Sequence, residues 1–345
     1  MARADTSRVA TVASALATDR VENDPDDPAI WIHPERPEES LIVGTDKEAA
    51  PKGGLYVFDL GGKIVQTIRP LDRPNNVDIR QNVPMASGGT IDIAVVTERY
   101  RRRLRIYRID PVTRQLSEAG PPGGVAVFEG ESGEQGEPMG IALYRRSADG
   151  ALFAIVGRKT GPPTGYLWQY RLEFSSPATL KFSKVRELGA YSGKKEIEAI
   201  AVDDELGFVY YGDETTGVRK YHADPEHSEA SRELAMLATS GFRGDHEGIA
   251  IYRDRGGSGY LILTDQIPGN SEYHVFTRQG PPDDPHRHDP VGVFRGGADS
   301  TDGIEVTSRS LGTAFPRGLF VAMNSGPQNF LVYRWTDVAA ALRLK

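Results

Sequence analysis

Carboxylates recur at one register along this chain. Asp26 and Asp27 precede Pro28-Ala29-Ile30, Asn76 and Asp78 flank Val77 before Ile79, and Glu137 leads into Gly140-Ile141. Glu196 and Glu198 precede Ala199-Ile200, Asp245 and Glu247 precede Gly248-Ile249, and Asp302 precedes Gly303-Ile304. A single acid before a strand is an ordinary turn former. Repetition at nearly the same position in unit after unit is not, and it points to a ring of acids gathered at one place. Such a ring repels itself unless cations neutralise it. Many hard oxygen ligands, with neither His nor Cys among them, suit Ca²⁺ better than zinc.

Six similar units must position these acids. They begin near Asp26, Asn75, Glu137, Glu196, Asp245 and Thr301, at offsets of 49, 62, 59, 49 and 56 residues. Each opens with a polar entry, a small residue and an Ile, and then alternates as a strand does. In the first unit further Val-, Ile-, Tyr- and Phe-rich runs follow at Leu41–Gly44, Leu55–Asp59 and Lys63–Ile68, each of ordinary strand length. About four strands per unit at a period near 50 predicts an all-β, six-bladed β-propeller. Helical periodicity is confined to Asp337–Leu342, so a doubly wound α/β fold has no helices to build on. The strand-like Val9–Leu16 is expected to complete the last blade beside Phe330–Trp335 and hide its edge. Residues 1–20 thus form a closing segment, and 21–345 a single propeller domain. The first strand of each blade lines the central channel, which puts the acidic entries at one mouth of it.

Composition narrows the chemistry. The 345 residues include 39% hydrophobic and 26% charged residues, enough for a packed core. The 38 Gly and 23 Pro are dispersed, as tight turns require. Cysteine is absent, which excludes disulfides, thiolate metal sites and cysteine nucleophiles. A net charge of -7 argues against a nucleic-acid partner. No apolar run reaches the roughly 20 residues of a membrane span. Val9–Ala17, preceded by Arg3 and Arg8, imitates a signal peptide poorly, because Thr11 and Ser14 interrupt it. Basic residues cluster at turns able to reach the same mouth: Lys47, Arg99 with Arg101 to Arg103, and Arg158 with Lys159. Acids holding calcium beside several cations describe a receptor for a highly anionic, phosphorylated substrate.

The sequence resembles the β-propeller phytases, also called alkaline phytases, over nearly the whole chain. The resemblance is carried by Asp26-Asp27-Pro28-Ala29-Ile30-Trp31, Asn75-Asn76-Val77-Asp78-Ile79-Arg80, Glu198 with Val202-Asp203-Asp204-Glu205, Asp245-His246-Glu247-Gly248 and Thr301-Asp302-Gly303-Ile304. Gly269-Asn270-Ser271 and Gln328-Asn329-Phe330 add lesser matches. It implies a six-bladed propeller that binds several calcium ions and hydrolyses phytate, myo-inositol hexakisphosphate, by attack of a calcium-activated water. Carried over residue by residue, it implies calcium ligands at Asp26, Asp27, Glu198, Glu214, Asp245, Glu247, Gln266 and Asp302. It further implies phosphate-gripping cations at Lys47, Arg99 and Arg158, with Lys52 and Lys159 as further candidates. Asp27, Glu198 and Glu247, with Lys47 and Arg99, are the residues expected to carry catalysis.

Departures from the family pattern fall on the phosphate side. Glu48 and the insertion Ala49-Ala50-Pro51-Lys52 follow Lys47 where the family often has a second Lys. A phosphate-binding Tyr is replaced by Met139, a Lys-Glu pair reads Arg158-Lys159, and the loop before Thr301 is short around Asp299. Two other functions are open to such a chain. One is a calcium-dependent lactonase or esterase, which needs an apolar pocket rather than Arg and Lys at the mouth. The other is a non-catalytic binding module locked by calcium. His286-Arg287-His288-Asp289 is expected to be a solvated loop, Asp203-Asp204-Glu205 a turn, and Trp31, Trp168 and Trp335 packing between blades. The resemblance implies a secreted or periplasmic, monomeric enzyme whose partner is calcium phytate.

Overall fold

The computed structural model describes residues 9–344; Arg3 and Arg8, which flank the signal-like stretch, lie outside them. Six small antiparallel sheets carry the fold. The first sheet runs outward through Pro25–Trp31, Leu41–Asp46, Gly54–Asp59 and Ile64–Ile68, close to the runs the sequence marks. The innermost strands of the six are Pro25–Trp31, Pro74–Pro84, Pro138–Arg145, Ile200–Asp203, Asp245–Arg253 and Ile304–Thr307. Each touches the next in chain order, and the last touches the first. A closed ring of inner strands with sheets radiating from it is a six-bladed β-propeller.

The apolar faces of neighbouring blades form the core. Trp31 is fully buried among residues of blades 1 and 2 and donates its indole N–H to Asp92 Oδ2 at 2.7 Å. Trp168 packs between blades 2 and 3, and Trp335 between blades 5 and 6. Both sit where the sequence reading put them. The one α-helix among the described residues, Trp335–Leu342, covers the end of the last two blades.

Closure differs in one respect from expectation. Leu16–Ala17 does complete the last blade, pairing antiparallel with Asn329–Arg334. Val9–Thr11 instead pairs parallel with Pro290–Arg295, as a fifth strand on blade 5. The segment therefore straddles two blades. Val12, 3% exposed, plugs the apolar seam between them and is the physical reason for the crossing. That burial and the covering of two sheet edges both favour the observed arrangement.

Candidate active site

The acids at the mouth are aimed by β-bulges. The pairing of the first two strands slips by a residue between Pro25 and Pro28, Pro74 and Val77, Pro138 and Ile141, and His246 and Ile249. Asp26 and Asp27 lie inside the first slip, Asn75 and Asn76 inside the second, and Glu247 inside the last. A bulge re-aims consecutive side chains toward one side, so Asp26 and Asp27 need not alternate across the strand. Asp26, Asp27, Asp245 and Glu247 are thus part of their strands, whereas Glu198 and Asp302 lie two residues before theirs.

Threonines on the second strands stitch these bulges to the next blade. Thr45 Oγ1 accepts from Asp27 N at 3.0 Å and donates to the Asn75 carbonyl at 2.7 Å. Thr97 Oγ1 accepts from Asn76 N at 3.0 Å and donates to the Met139 carbonyl at 2.7 Å. Small residues let the strands close in. A Cβ at Gly303 would stand 2.2 Å from Asp27 Oδ1, and one at Gly140 would stand 1.7 Å from the Glu198 carbonyl oxygen. That is why the repeat needs a small residue beside its acid.

The assembled ring is a concentration of buried negative charge. Glu214, Asp245 and Glu247 each present an oxygen within 4.8 Å of the others. Burial, then the neighbouring Glu196, Glu198 and Asp245, pushes the Glu214 carboxyl up to about 9. Burial, then Glu214, Glu198 and Asp302, holds the Glu247 carboxyl well above its usual range. Asp26, Asp27 and Glu198 are raised as well, by burial first and then by neighbouring acids: Glu198 and Asp302 act on Asp26, Glu305 and Glu198 on Asp27, and Asp302 and Glu196 on Glu198. Asp26 Oδ2 and Glu214 Oε1 are buried with no hydrogen-bond partner. Gln266 donates its amide to Asp302 Oδ1. Oxygen donors in this number, with two oxygens left unsatisfied, fit a hard divalent cation. Below the ring a channel of about 240 Å³ follows the axis, lined by Asp27, Asp78, Glu247 and Glu305 among apolar side chains.

Cations stand directly on this ring. Lys47 Nζ lies 2.6 Å from Asp26 Oδ1 and 2.7 Å from Asp302 Oδ2. Burial opposes its charge, but Asp26, Asp302 and Glu198 hold the ammonium well above its ordinary pKa. Lys195, half-exposed at the rim, pairs with Asp245 Oδ2. Lys159 pairs with both oxygens of Glu196, the acid two residues before Glu198. Arg99 is buried at the same end and donates to Glu137 Oε2 at 2.9 Å. Lys52 is exposed on the inserted loop.

Arg158 is not brought to the ring. Its side chain is 1% exposed, and it donates to the carbonyls of Tyr166 at 2.8 Å and Gly165 at 3.1 Å. Its guanidinium lies over the rings of Phe128 and Trp168, at 4.6 and 5.2 Å. Lys195, by contrast, is a rim cation that the repeat pattern did not single out. Its signal was the Lys194-Lys195 pair immediately before the Glu196 entry of the fourth repeat. His246 turns away from the ring and gives its Nε2 to the Ala238 carbonyl at 2.9 Å. Asp204 and Glu205 form the expected turn, but Asp203 departs from it: it ends the strand Ile200–Asp203, buried, with Arg278 Nε 2.5 Å from its Oδ2. His288 departs from the solvated loop expected of it: it is buried, with Nε2 3.1 Å from Lys220 Nζ and Nδ1 2.8 Å from the Thr277 carbonyl.

The sequence pattern of the family described as Phytase matches residues 1–344. The chain belongs to the phytase family. It is accordingly a phosphoric monoester hydrolase. The chain is also 31% identical, over 334 residues, to the 3-phytase of Bacillus subtilis (strain 168), across 92% of this chain and 81% of that one. Solved propellers share the fold alone. An α-L-arabinofuranosidase of Fusarium graminearum superposes with a TM-score of 0.57 at 9% identity, over 93% of this chain and 99% of that one. An α-L-arabinanase of Penicillium chrysogenum gives 0.57 at 10%, over 94% and 98%. For a luciferin-regenerating enzyme the TM-score is 0.51 at 15% identity, over 91% and 92%.

Proposed function

We propose that this protein is a calcium-dependent phytase that removes phosphate from phytate at the mouth of the propeller channel. The observation that carries the reading is the convergence of Glu214, Asp245 and Glu247 within 4.8 Å, with Lys195 paired to Asp245. Asp26, Asp27, Glu198, Gln266 and Asp302 complete the ligand set. Calcium held there would supply Lewis-acid charge and lower the pKa of a water for attack on phosphorus.

The chain's own side chains do the rest. Asp26, Asp27 and Glu247 would hold the cations rigidly, because they lie in bulged strand starts and Thr45 ties Asp27 to the next blade. Lys47, between Asp26 and Asp302, stabilises charge developing on the transferred phosphoryl oxygens. Arg99, Lys159 and Lys195 grip phosphate groups around the rim, with Lys52 in reach of outer ones. No side chain is needed as a nucleophile. A polyanion carrying several phosphates matches a mouth with cations on several sides, whereas an ester or lactone would leave those charges unused. The protein works as a monomer, in a secreted or periplasmic setting where phytate is met.

Substrate chemistry tests this reading. In calcium, phosphate release from phytate is expected to exceed that from p-nitrophenyl phosphate at equal concentration by about tenfold or more, since binding energy on remote phosphates is used in the transition state. Lys195→Met should raise KM for phytate by about tenfold with little change in kcat. Arg158→Met should instead lower the melting temperature and leave KM near its original value. Preference for the simple ester, or a KM insensitive to Lys195, would contradict the assignment of the rim.

A further inference from the structure

A second group of ligand-type side chains lies behind the ring, on the face of blade 5 that packs toward blade 4. Asp265 and Glu272 are directly opposite each other on neighbouring strands. His274 is two residues beyond Glu272 and therefore on the same face. The three present atoms within 4.8 Å of one another. Asp265 is fully buried and Glu272 is 8% exposed.

The histidine is held as a ligand is held. Phe242 stacks on its ring at 4.1 Å with an interplanar angle of 22°, and His246 stacks on Phe242's ring at 4.1 Å. The Nε2 atom so fixed is buried and has no hydrogen-bond partner. It stands 3.7 Å from Asp265 Oδ2. That is too long for a hydrogen bond. It is close to the ~3.4 Å edge of a tetrahedron drawn with ordinary zinc–nitrogen and zinc–oxygen bonds. Asp265 is oriented in turn by backbone donors, Gly244 N at 2.6 Å to Oδ1 and Arg243 N at 3.0 Å to Oδ2. Backbone donors that fix a ligating carboxylate are a regular part of metal sites.

We propose that Asp265, Glu272 and His274 form a second metal site, for a transition ion of the zinc class, separate from the carboxylate ring. An imidazole nitrogen with two carboxylates selects such an ion over calcium. Two carboxylates and a neutral imidazole balance its charge. The present competitor is Arg243, whose Nη2 lies 2.7 Å from Glu272 Oε1. Its side chain is 64% exposed, so this pair is weak and readily displaced. The consequence is mechanical. Asp265 precedes Gln266 and cradles the backbone before Asp245, so an ion here ties down a corner of the active-site mouth.

Cobalt(II) is the probe, because a nitrogen-bearing site of low coordination number gives it a visible absorption band. The protein is first saturated with calcium to fill the ring, then titrated with CoCl₂. A saturable band and a rise in melting temperature over calcium alone are expected. His274→Gln should abolish the band and weaken uptake by about tenfold or more. Arg243→Ala frees Glu272 and should tighten uptake by about threefold or more; this variant keeps the proposal testable if His274→Gln fails to fold. Absence of a band in the parent protein would overturn the proposal, and so would uptake unchanged by His274→Gln, which would put cobalt in the ring. None of these readouts involves phosphate release, so they stand apart from the activity proposed above.

Discussion

Glu247→Gln should reduce phosphate release from phytate by about a hundredfold or more at saturating calcium. Glu247 sits in a bulge, faces Glu214 and Asp245, and feels Glu198 and Asp302 as well. The substitution keeps shape and removes one charge from the set that holds the cations. Because one ligand is lost, the calcium concentration for half-maximal activity should rise too. Without metal the direction reverses. Glu247 is among the carboxyls held farthest above their ordinary range, so the neutral amide relieves repulsion. The chelated variant should therefore melt at a higher temperature than the chelated parent at pH 8, and at a lower one than the parent when both hold calcium. Calorimetry with and without EDTA reads both. A variant that loses activity but melts low in both states has simply misfolded. One that retains full turnover would remove Glu247 from the mechanism.

The chelated parent should lose stability as pH rises. Folding holds protons on Glu214 up to about 9, against an ordinary value of 4.5. Asp26, Asp27, Glu198 and Glu247 are raised in the same direction. Between about pH 4.5 and 9 the folded chain thus binds more protons than the unfolded one. Stability then falls with pH, by about 1.4 kcal/mol per pH unit for each full proton of difference. Lys47, raised above its ordinary 10.5, stays charged throughout that window and adds no slope. Bound calcium favours the ionised carboxylates and removes the slope. The gap in melting temperature between calcium-loaded and chelated protein should accordingly widen from pH 5 to pH 9, by about 10 °C. A gap independent of pH would mean that these acids are not the calcium ligands.

Much of this was legible in the sequence, for reasons that can be named. The Ile of each repeat is fixed by the packing of an inner strand, so its spacing reveals the blades and the acids beside it. The bulges were not legible, because nothing in Asp26-Asp27 or His246-Glu247 says that pairing slips there. The repeat pattern accordingly places the acids just before the inner strands, whereas Asp26, Asp27, Asp245 and Glu247 lie within them. The divided N-terminal segment was hidden because pairings of two and three residues are too short to show a register; only Val12's burial explains them. Arg158 and Lys195 show the limit for surface charge. A sequence gives the charge, but its direction depends on which aromatic face or carboxylate the fold brings near. Arg158 met Phe128 and Trp168, and Lys195 met Asp245. Asp265, Glu272 and His274 escaped notice because a hairpin, not a contiguous motif, brings them together.

The central claim is that a ring of carboxylates works through calcium on phytate. Phosphate release from phytate at neutral pH, measured before EDTA, after it, and after calcium is restored, tests it most directly. The account predicts activity that vanishes with EDTA and returns with calcium. Release that survives complete chelation, or a folded, calcium-stabilised protein that releases no phosphate at all, would contradict it.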